Sequence, residues 1–189
     1  MDKITRWNNF IITGTPGSGK TSLIEALRGN GFRCHDEPAR QVLAEQRAIQ
    51  GSEVPEKDKK RFVSLMLSKA IETYKLTLAS DEIVFFDRGI PDNIAYAALF
   101  DIEAKDGEEA ARKYGYHSSV FFLPPWEGIF RNDDERKMTF REAEHFSTLI
   151  ETAYARLGYY IIEVPFGPIE TRRDFIADRA GAMCRNYFR

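Results

Sequence analysis

At 189 residues, the chain has the length of one ordinary domain, and we read 1–189 as a single unit. Its 43% hydrophobic and 30% charged residues suit a solvated globular fold with a real core and exclude a disordered or fibrous chain. A net charge of −2 and a pI of about 6.0 exclude bulk attraction to nucleic acid or to an acidic membrane.

Met1 to Asn9 is polar and runs straight into the first apolar segment, so no signal peptide is expected. No apolar run reaches the ~18 residues of a membrane helix, so the expected location is cytoplasmic. Cys34 and Cys184 are far apart in sequence, without metal-ligand spacing, and read as reduced structural thiols. His35, His117 and His145 lack such spacing too.

Phe10-Ile11-Ile12 reads as a buried strand. Gly14-Thr15-Pro16-Gly17-Ser18-Gly19-Lys20-Thr21 follows and matches G-x-x-x-x-G-K-[ST], the phosphate-binding loop, at every position. Ser22 to Leu27 continues as a helix with Leu23, Ile24 and Leu27 on one face. Strand, glycine-rich turn and helix are the setting the motif requires.

The glycines let consecutive N–H groups turn inward onto an anion, and the helix adds the positive end of its dipole. Lys20 supplies a point charge for the β- and γ-phosphates, and the Thr21 hydroxyl suits Mg²⁺. The loop from Gly14 to Thr21, with Ser22, is therefore the predicted site for ATP or GTP.

Gly29-Asn30-Gly31 stops that helix, and Phe32 to His35 reads as a short second strand ending at Asp36-Glu37-Pro38. Ala39 to Ile49 has helical spacing. The segment 51–60 is polar and reads as a loop or helix entry. Phe62 to Leu78 is a long amphipathic helix.

Ile83 to Asp87 is an apolar run closed by an acid, the pattern of a strand buried on both faces of a parallel sheet. Arg88 to Asp92 reads as a turn, Asn93 to Phe100 and Glu103 to Tyr114 as helices. Ser119 to Leu123 is a strand stopped by Pro124-Pro125. Phe140 to Leu157 reads as a helix, Tyr159 to Val164 as a strand and Pro168 to Arg185 as a closing helix. The pairs Phe85-Phe86, Phe121-Phe122 and Tyr159-Tyr160 read as core.

Strands alternating with helices imply right-handed crossovers, a parallel sheet and helices on both faces. Ligands then bind outside the carboxyl ends of the strands. The loop and, because each follows a strand, Asp36, Glu37, Asp87, Arg88, Pro124 and Pro165 are expected to collect at that edge.

Asp87 can hold Mg²⁺ directly or through water, or is a solvated strand-end acid. Glu37 can accept the proton of an acceptor hydroxyl. Asp36 or Glu37 ahead of Pro38 is also good helix-cap chemistry. Arg131, Arg136 and Lys137 lie where small-molecule kinases carry a lid, near 126–139, whose arginines neutralise a transferring phosphoryl group. The interleaved Asp133, Asp134 and Glu135 also suit a solvated surface.

Together these blocks resemble the nucleoside- and nucleotide-kinase-like branch of the P-loop fold. They are more closely similar to the NadR-like P-loop ATPase family, which includes the ribosylnicotinamide kinase domain. The resemblance rests on Ile11 to Thr21, Glu37-Pro38-Ala39-Arg40, Phe86 to Asp92, Phe122 to Trp126 and Tyr154 to Tyr159. It implies a P-loop NTPase three-layer sandwich whose five-stranded parallel sheet has the order 2-3-1-4-5. It also implies that Asp87 and Arg88 face the nucleotide and acceptor, and that Arg131 and Arg136 belong to a lid.

The expected activity is a kinase that uses ATP or GTP with Mg²⁺ on a small hydroxylated acceptor such as a nucleoside or vitamin. It would act as a monomer or homodimer, without nucleic acid or membrane. The alternative is a regulatory or switch NTPase with slow hydrolysis and a protein partner.

Overall fold

Three of the apolar runs become the middle of one sheet. Strand β2 (Asn9–Gly14) lies between β4 (Val84–Asp87) and β6 (Ser119–Leu123), with β3 (Arg33–His35) and β7 (Tyr160–Glu163) at the edges. All pairings are parallel, and the order is β3-β4-β2-β6-β7. Numbered among these five alone, that is the expected 2-3-1-4-5. This computed structural model describes residues 3–131 and 138–186.

Successive strand residues point to opposite faces, and here both faces are apolar. Ile11, Phe86, Val120 and Phe122 join the core beneath α2 (Pro38–Ala48), α3 (Lys59–Lys75), α4 (Ile90–Leu99), α5 (Lys105–Lys113) and α6 (Phe140–Arg156). Phe10, Ile12, Phe85, Phe121 and Leu123 join the core beneath α1 (Lys20–Gly29) and α7 (Ile169–Asn186). Helices on both faces of one parallel sheet make the three layers.

Several boundaries moved for identifiable reasons. Helix α3 starts at Lys59 because Asp58 caps it, its Oδ1 accepting from the Arg61 N–H at 2.9 Å. Helix α4 starts at Ile90, ahead of the expected Asn93, because Asp92 reaches back to the Gly89 N–H at 2.8 Å. Tyr160 is 71% exposed on edge strand β7, so of the expected core aromatics this one faces solvent.

One element was not expected. A two-residue parallel ribbon pairs β1 (Ile4–Thr5) with β5 (Tyr114–Gly115). The Tyr74 hydroxyl lies 2.9 Å from the Ile4 carbonyl and 2.8 Å from that of Gly115. Two-residue strands carry no periodicity, so the sequence gives no sign of them. Among the described residues no helix is long and apolar enough to cross a membrane.

Candidate phosphate and acceptor site

Parallel pairing brings the carboxyl ends of the strands to one edge. Ile12 is level with Asp87 on one side and Phe121 on the other, while Gly14 is level with Leu123. The chain beyond Gly14 therefore emerges between the ends of β4 and β6. Gly14 has φ 141°, and a Cβ there would run into the Leu123 carbonyl, so only glycine fits. Gly19 has φ 84° just ahead of α1.

The loop curves around its own lysine. Lys20 is buried, and its Nζ donates to the Thr15 carbonyl at 2.7 Å, which places the ammonium inside the curve. A cavity of about 190 Å³ opens here, bounded by Gly17, Lys20, Thr21, Ser22, Glu37 and Arg131 among others. Lys20, Arg40 and Arg131 give its described wall three basic side chains against the one acid Glu37, which favours an anion.

A second cavity of about 170 Å³ adjoins the first at Pro16, which lines both. Its walls are Phe62, Tyr96, Phe100 and Phe146, with Leu43 and Met138, and Glu56 is the one charged side chain among its described residues.

Glu37 lines the first cavity and is bonded to Tyr96 of the second. It occupies the N-cap position of α2, yet its side chain makes no cap bond. Instead Oε1 accepts from Arg88 Nε at 2.6 Å and from the Tyr96 hydroxyl at 3.4 Å, while Arg40 Nε lies 3.5 Å from Oε2. Tyr96 presents its ring to the second cavity and its hydroxyl to Glu37. Asp36 instead pairs with Arg28 at 2.6 Å on the exposed surface.

Beneath Glu37 lies a buried ionic cluster. Arg88 is 2% exposed and sits at φ 69°, a strained position for a residue with a Cβ, costing about 1–3 kcal/mol. Its partners hold it there. Nε reaches Glu37, Nη1 reaches Asp92 Oδ1 at 3.0 Å, and the guanidinium lies 5.4 Å from the Tyr96 ring centre.

Burial alone would lower the Arg88 pKa, but Tyr96, Glu37 and Asp92 outweigh it and hold it well above its ordinary value. Asp92 also accepts from the Thr13 hydroxyl at 2.5 Å and the Tyr154 hydroxyl at 2.5 Å. It thereby ties β2, α4 and α6 together. Burial, with Asp92 beside it, pushes the Tyr154 phenol well up.

Thr21 and Asp87 are the expected Mg²⁺ ligands, and both offer the hard oxygens that ion takes. Thr21 is exposed on the first turn of α1 and lines the phosphate cavity. Asp87 closes the strand beside the one that feeds the loop. The donor set fits the ion.

A family model of the AAA domain matches residues 9–172. The chain belongs to this AAA-domain family. No curated protein matches its sequence at a significant level.

Solved structures share its fold. Deoxyadenosine kinase from M. mycoides, with products dCMP and a flexible dCDP bound, is 16% identical with a TM-score of 0.65 over 92% of this chain and 99% of that one. NadR protein in complex with NR is 18% identical with a TM-score of 0.69, covering 97% of this chain and 51% of that one. Shikimate kinase from Acinetobacter baumannii, in complex with shikimate, is 16% identical with a TM-score of 0.56, covering 96% and 95%. The AAA-domain chain therefore has a P-loop kinase-like fold, and its own chemistry must be argued from its site.

The site brings together the whole predicted loop, Glu37, Asp87, Arg88 and Arg131. Arg131 is exposed, lines the phosphate cavity and donates to the Phe130 carbonyl at 2.7 Å. Arg136 and Lys137 fall in 132–137, outside the described residues. The described part of the expected lid packs on the loop, since a Cβ at Gly17 would meet the Phe130 ring and one at Gly19 would meet Ile129.

Among the described residues, Asp92, Arg40, Tyr96 and Tyr154 were not singled out. Asp92 stood inside a motif already singled out, and its spacing from Gly89 was the readable sign of a helix start. Arg40 stood inside the Glu37-Pro38-Ala39-Arg40 block, while Tyr96 and Tyr154 come from two different helices and carried no local signal.

Proposed function

We propose that this AAA-domain protein is a kinase that moves the γ-phosphate of ATP or GTP to a hydroxyl of a small acceptor bearing a flat apolar group, such as a nucleoside or vitamin. The observation that carries it is the meeting, at Pro16, of a basic cavity lined by Glu37 with an aromatic cavity lined by Tyr96, whose hydroxyl reaches Glu37.

The loop amides, Lys20 and the start of α1 bind the polyphosphate. Thr21 and Asp87 would hold Mg²⁺, which neutralises phosphate charge. The acceptor's ring packs among Phe62, Tyr96, Phe100 and Phe146. Its hydroxyl then points at Glu37, on the boundary toward the phosphates. As the hydroxyl oxygen bonds to the γ-phosphorus, the bond to the β-phosphate oxygen breaks, the nucleoside diphosphate leaves and Glu37 takes the hydroxyl proton. Arg88 and Tyr96 orient that carboxylate from below. Arg131, with Arg136 in a lid over 126–139, neutralises the phosphoryl group.

A switch NTPase acting on a protein partner would present Glu37 and Arg88 to solvent. Each is 2% exposed, which favours the kinase. The test incubates the purified protein with Mg²⁺ and ATP or GTP, alone and with a panel of nucleosides and hydroxylated vitamins, and follows nucleoside diphosphate release. Release that rises several-fold with one acceptor, with a phosphorylated product, is the expected result. Slow release indifferent to every acceptor would turn the assignment to the switch.

A further inference from the structure

Among the described residues two arginines are nearly fully buried at the same sheet edge, and their surroundings differ in kind. Arg88 has Glu37 and Asp92 on its guanidinium. Arg172, in the first turns of α7, is 4% exposed, and among the described residues no carboxylate pairs with it. Its Nη2 donates to the Ser18 carbonyl at 3.1 Å, its guanidinium lies 5.8 Å from the centre of the Trp126 ring, and among the described residues its Nε has no hydrogen-bond partner. Burial lowers its pKa, and no acid among the described residues raises it back. An arginine still keeps its charge at any ordinary pH. A guanidinium taken out of water without a counter-charge bears a desolvation cost that one carbonyl and one aromatic face repay only in part.

The single hydrogen bond falls at a telling place. In a trans peptide the C=O and the following N–H point in opposite directions, and the described residues contain no cis peptide bond. The Ser18 C=O is turned toward Arg172, so the Gly19 N–H of the same peptide is turned away from it. Gly19, Lys20 and Thr21 line the phosphate cavity, and this N–H is one of the donors at the entrance to α1. Arg172 also stands close behind the loop, where a Cβ on Gly19 would lie 3.0 Å from its Nη1.

We propose that Arg172 is a positioning residue for nucleotide phosphates. It holds the Ser18–Gly19 peptide with its N–H toward the cavity, and its charge finds a counter-charge when a polyphosphate occupies the loop. This rests on the phosphate-loop reading above. The ligand class is a nucleoside di- or triphosphate, because the gain scales with phosphate charge. A brace that merely supports Trp126 would act equally on ligands with and without phosphates.

The experiment separates charge from hydrogen bond. Arg172→Gln keeps a donor for the Ser18 carbonyl and removes the charge; Arg172→Lys keeps the charge. Calorimetric Kd values for ATP, ADP, AMP and adenosine with Mg²⁺ are compared in both variants, the parent and Lys20→Ala, alongside melting temperatures without ligand.

The expected result is a Gln variant that melts near the parent. It binds ATP about ten- to a hundred-fold more weakly, ADP less affected and adenosine unchanged, with the Lys variant closer to the parent. If Arg172→Gln binds ATP as the parent does, or loses ATP and adenosine equally, Arg172 is only a brace. Should the Gln variant melt well below the parent, the Lys variant decides: affinity lost in proportion to phosphate number yet above that of Lys20→Ala supports the proposal, and a loss equal for all four ligands overturns it. A parent that binds none of the four, nor GTP, overturns the phosphate-loop reading and this proposal together; where only GTP binds, the guanine series GTP, GDP, GMP and guanosine takes the place of the four. A parent that binds, a Lys20→Ala that does not and an unaffected Arg172→Gln overturn this one alone.

Discussion

The phosphate loop and the Glu37–Arg88–Asp92 cluster lie side by side at one edge of the sheet and are built in opposite ways. The loop is eight consecutive residues whose shape comes from local backbone freedom at Gly14, Gly17 and Gly19. Its charged group, Lys20, donates a hydrogen bond within the same loop, to Thr15. The cluster draws Thr13 from β2, Glu37 from the start of α2, Arg88 from the end of β4, Asp92 and Tyr96 from α4 and Tyr154 from α6. A loop of the first kind can lose a side chain and keep its fold. In the cluster every side chain is another's counter-charge or hydrogen-bond partner, so binding geometry and stability are carried by the same atoms.

The strongest way to break that distinction is Asp92→Ala. It removes the acceptor for Thr13, Arg88, the Gly89 N–H and Tyr154 at once. Removing one partner of a buried ion pair costs about 3–5 kcal/mol. Urea unfolding should show that loss with little change in the denaturant slope. A variant within 1 kcal/mol of the parent would mean that the cluster is not what holds α4 and α6 to the sheet.

Glu37→Gln sharpens the comparison from the functional side. Gln retains an oxygen for Arg88 and Tyr96 but cannot take a proton, so stability should fall by only about 1–3 kcal/mol. Transfer to the acceptor should slow by about 10²–10⁴-fold, while nucleotide affinity stays near the parent's. A transfer rate unchanged in single-turnover measurements would leave Glu37 as an anchor for Arg88 and nothing more.

Lys20→Ala is the opposite case. Nucleotide affinity should fall by about 1.5–3 kcal/mol, the range of a charge-assisted hydrogen bond. Folding stability should fall less than in Asp92→Ala, because the hydrogen bond to the Thr15 carbonyl lies within the loop itself. A large stability loss with affinity retained would make Lys20 a structural residue and erase the contrast.

How much of this was legible follows the same divide. The loop was complete in the sequence because its function is local, and the sheet order followed from the resemblance carried by blocks in chain order. Glu37 and Arg88 were legible as strand-end residues, but their mutual pairing was not, since they are 51 positions apart. Asp92 was visible as a helix-start acid and not as a hub, because its other partners come from β2 and α6. Arg172 had no legible sign: an arginine on the last helix of a sequence with 27 basic residues gains meaning only from the carbonyl it touches.

The smallest expected effect comes from the opposite edge of the sheet and should leave both regions of the site alone. His117 stacks on Phe10 at 4.4 Å, and its Nδ1 accepts from the Ser119 N–H at 3.0 Å. Burial lowers its pKa; burial first, then Arg33, does the same at His35. A histidine whose folded pKa lies below its unfolded value of about 6.5 takes up a proton on unfolding as the solution becomes more acid. Stability is therefore lost as pH falls below about 6.5, by at most about 1.4 kcal/mol per pH unit for each such histidine. His117→Asn keeps an oxygen for the Ser119 N–H and removes the titration. In unfolding measured between about pH 6.5 and 5, above the range where ordinary carboxylates titrate, the slope of stability against pH should flatten by up to one proton, with His35 supplying the rest. Nucleotide affinity at pH 7 should not move. An unchanged slope would mean that His117 is protonated in the folded protein as readily as in the unfolded chain; a change in nucleotide affinity would mean that the two edges of the sheet are not independent.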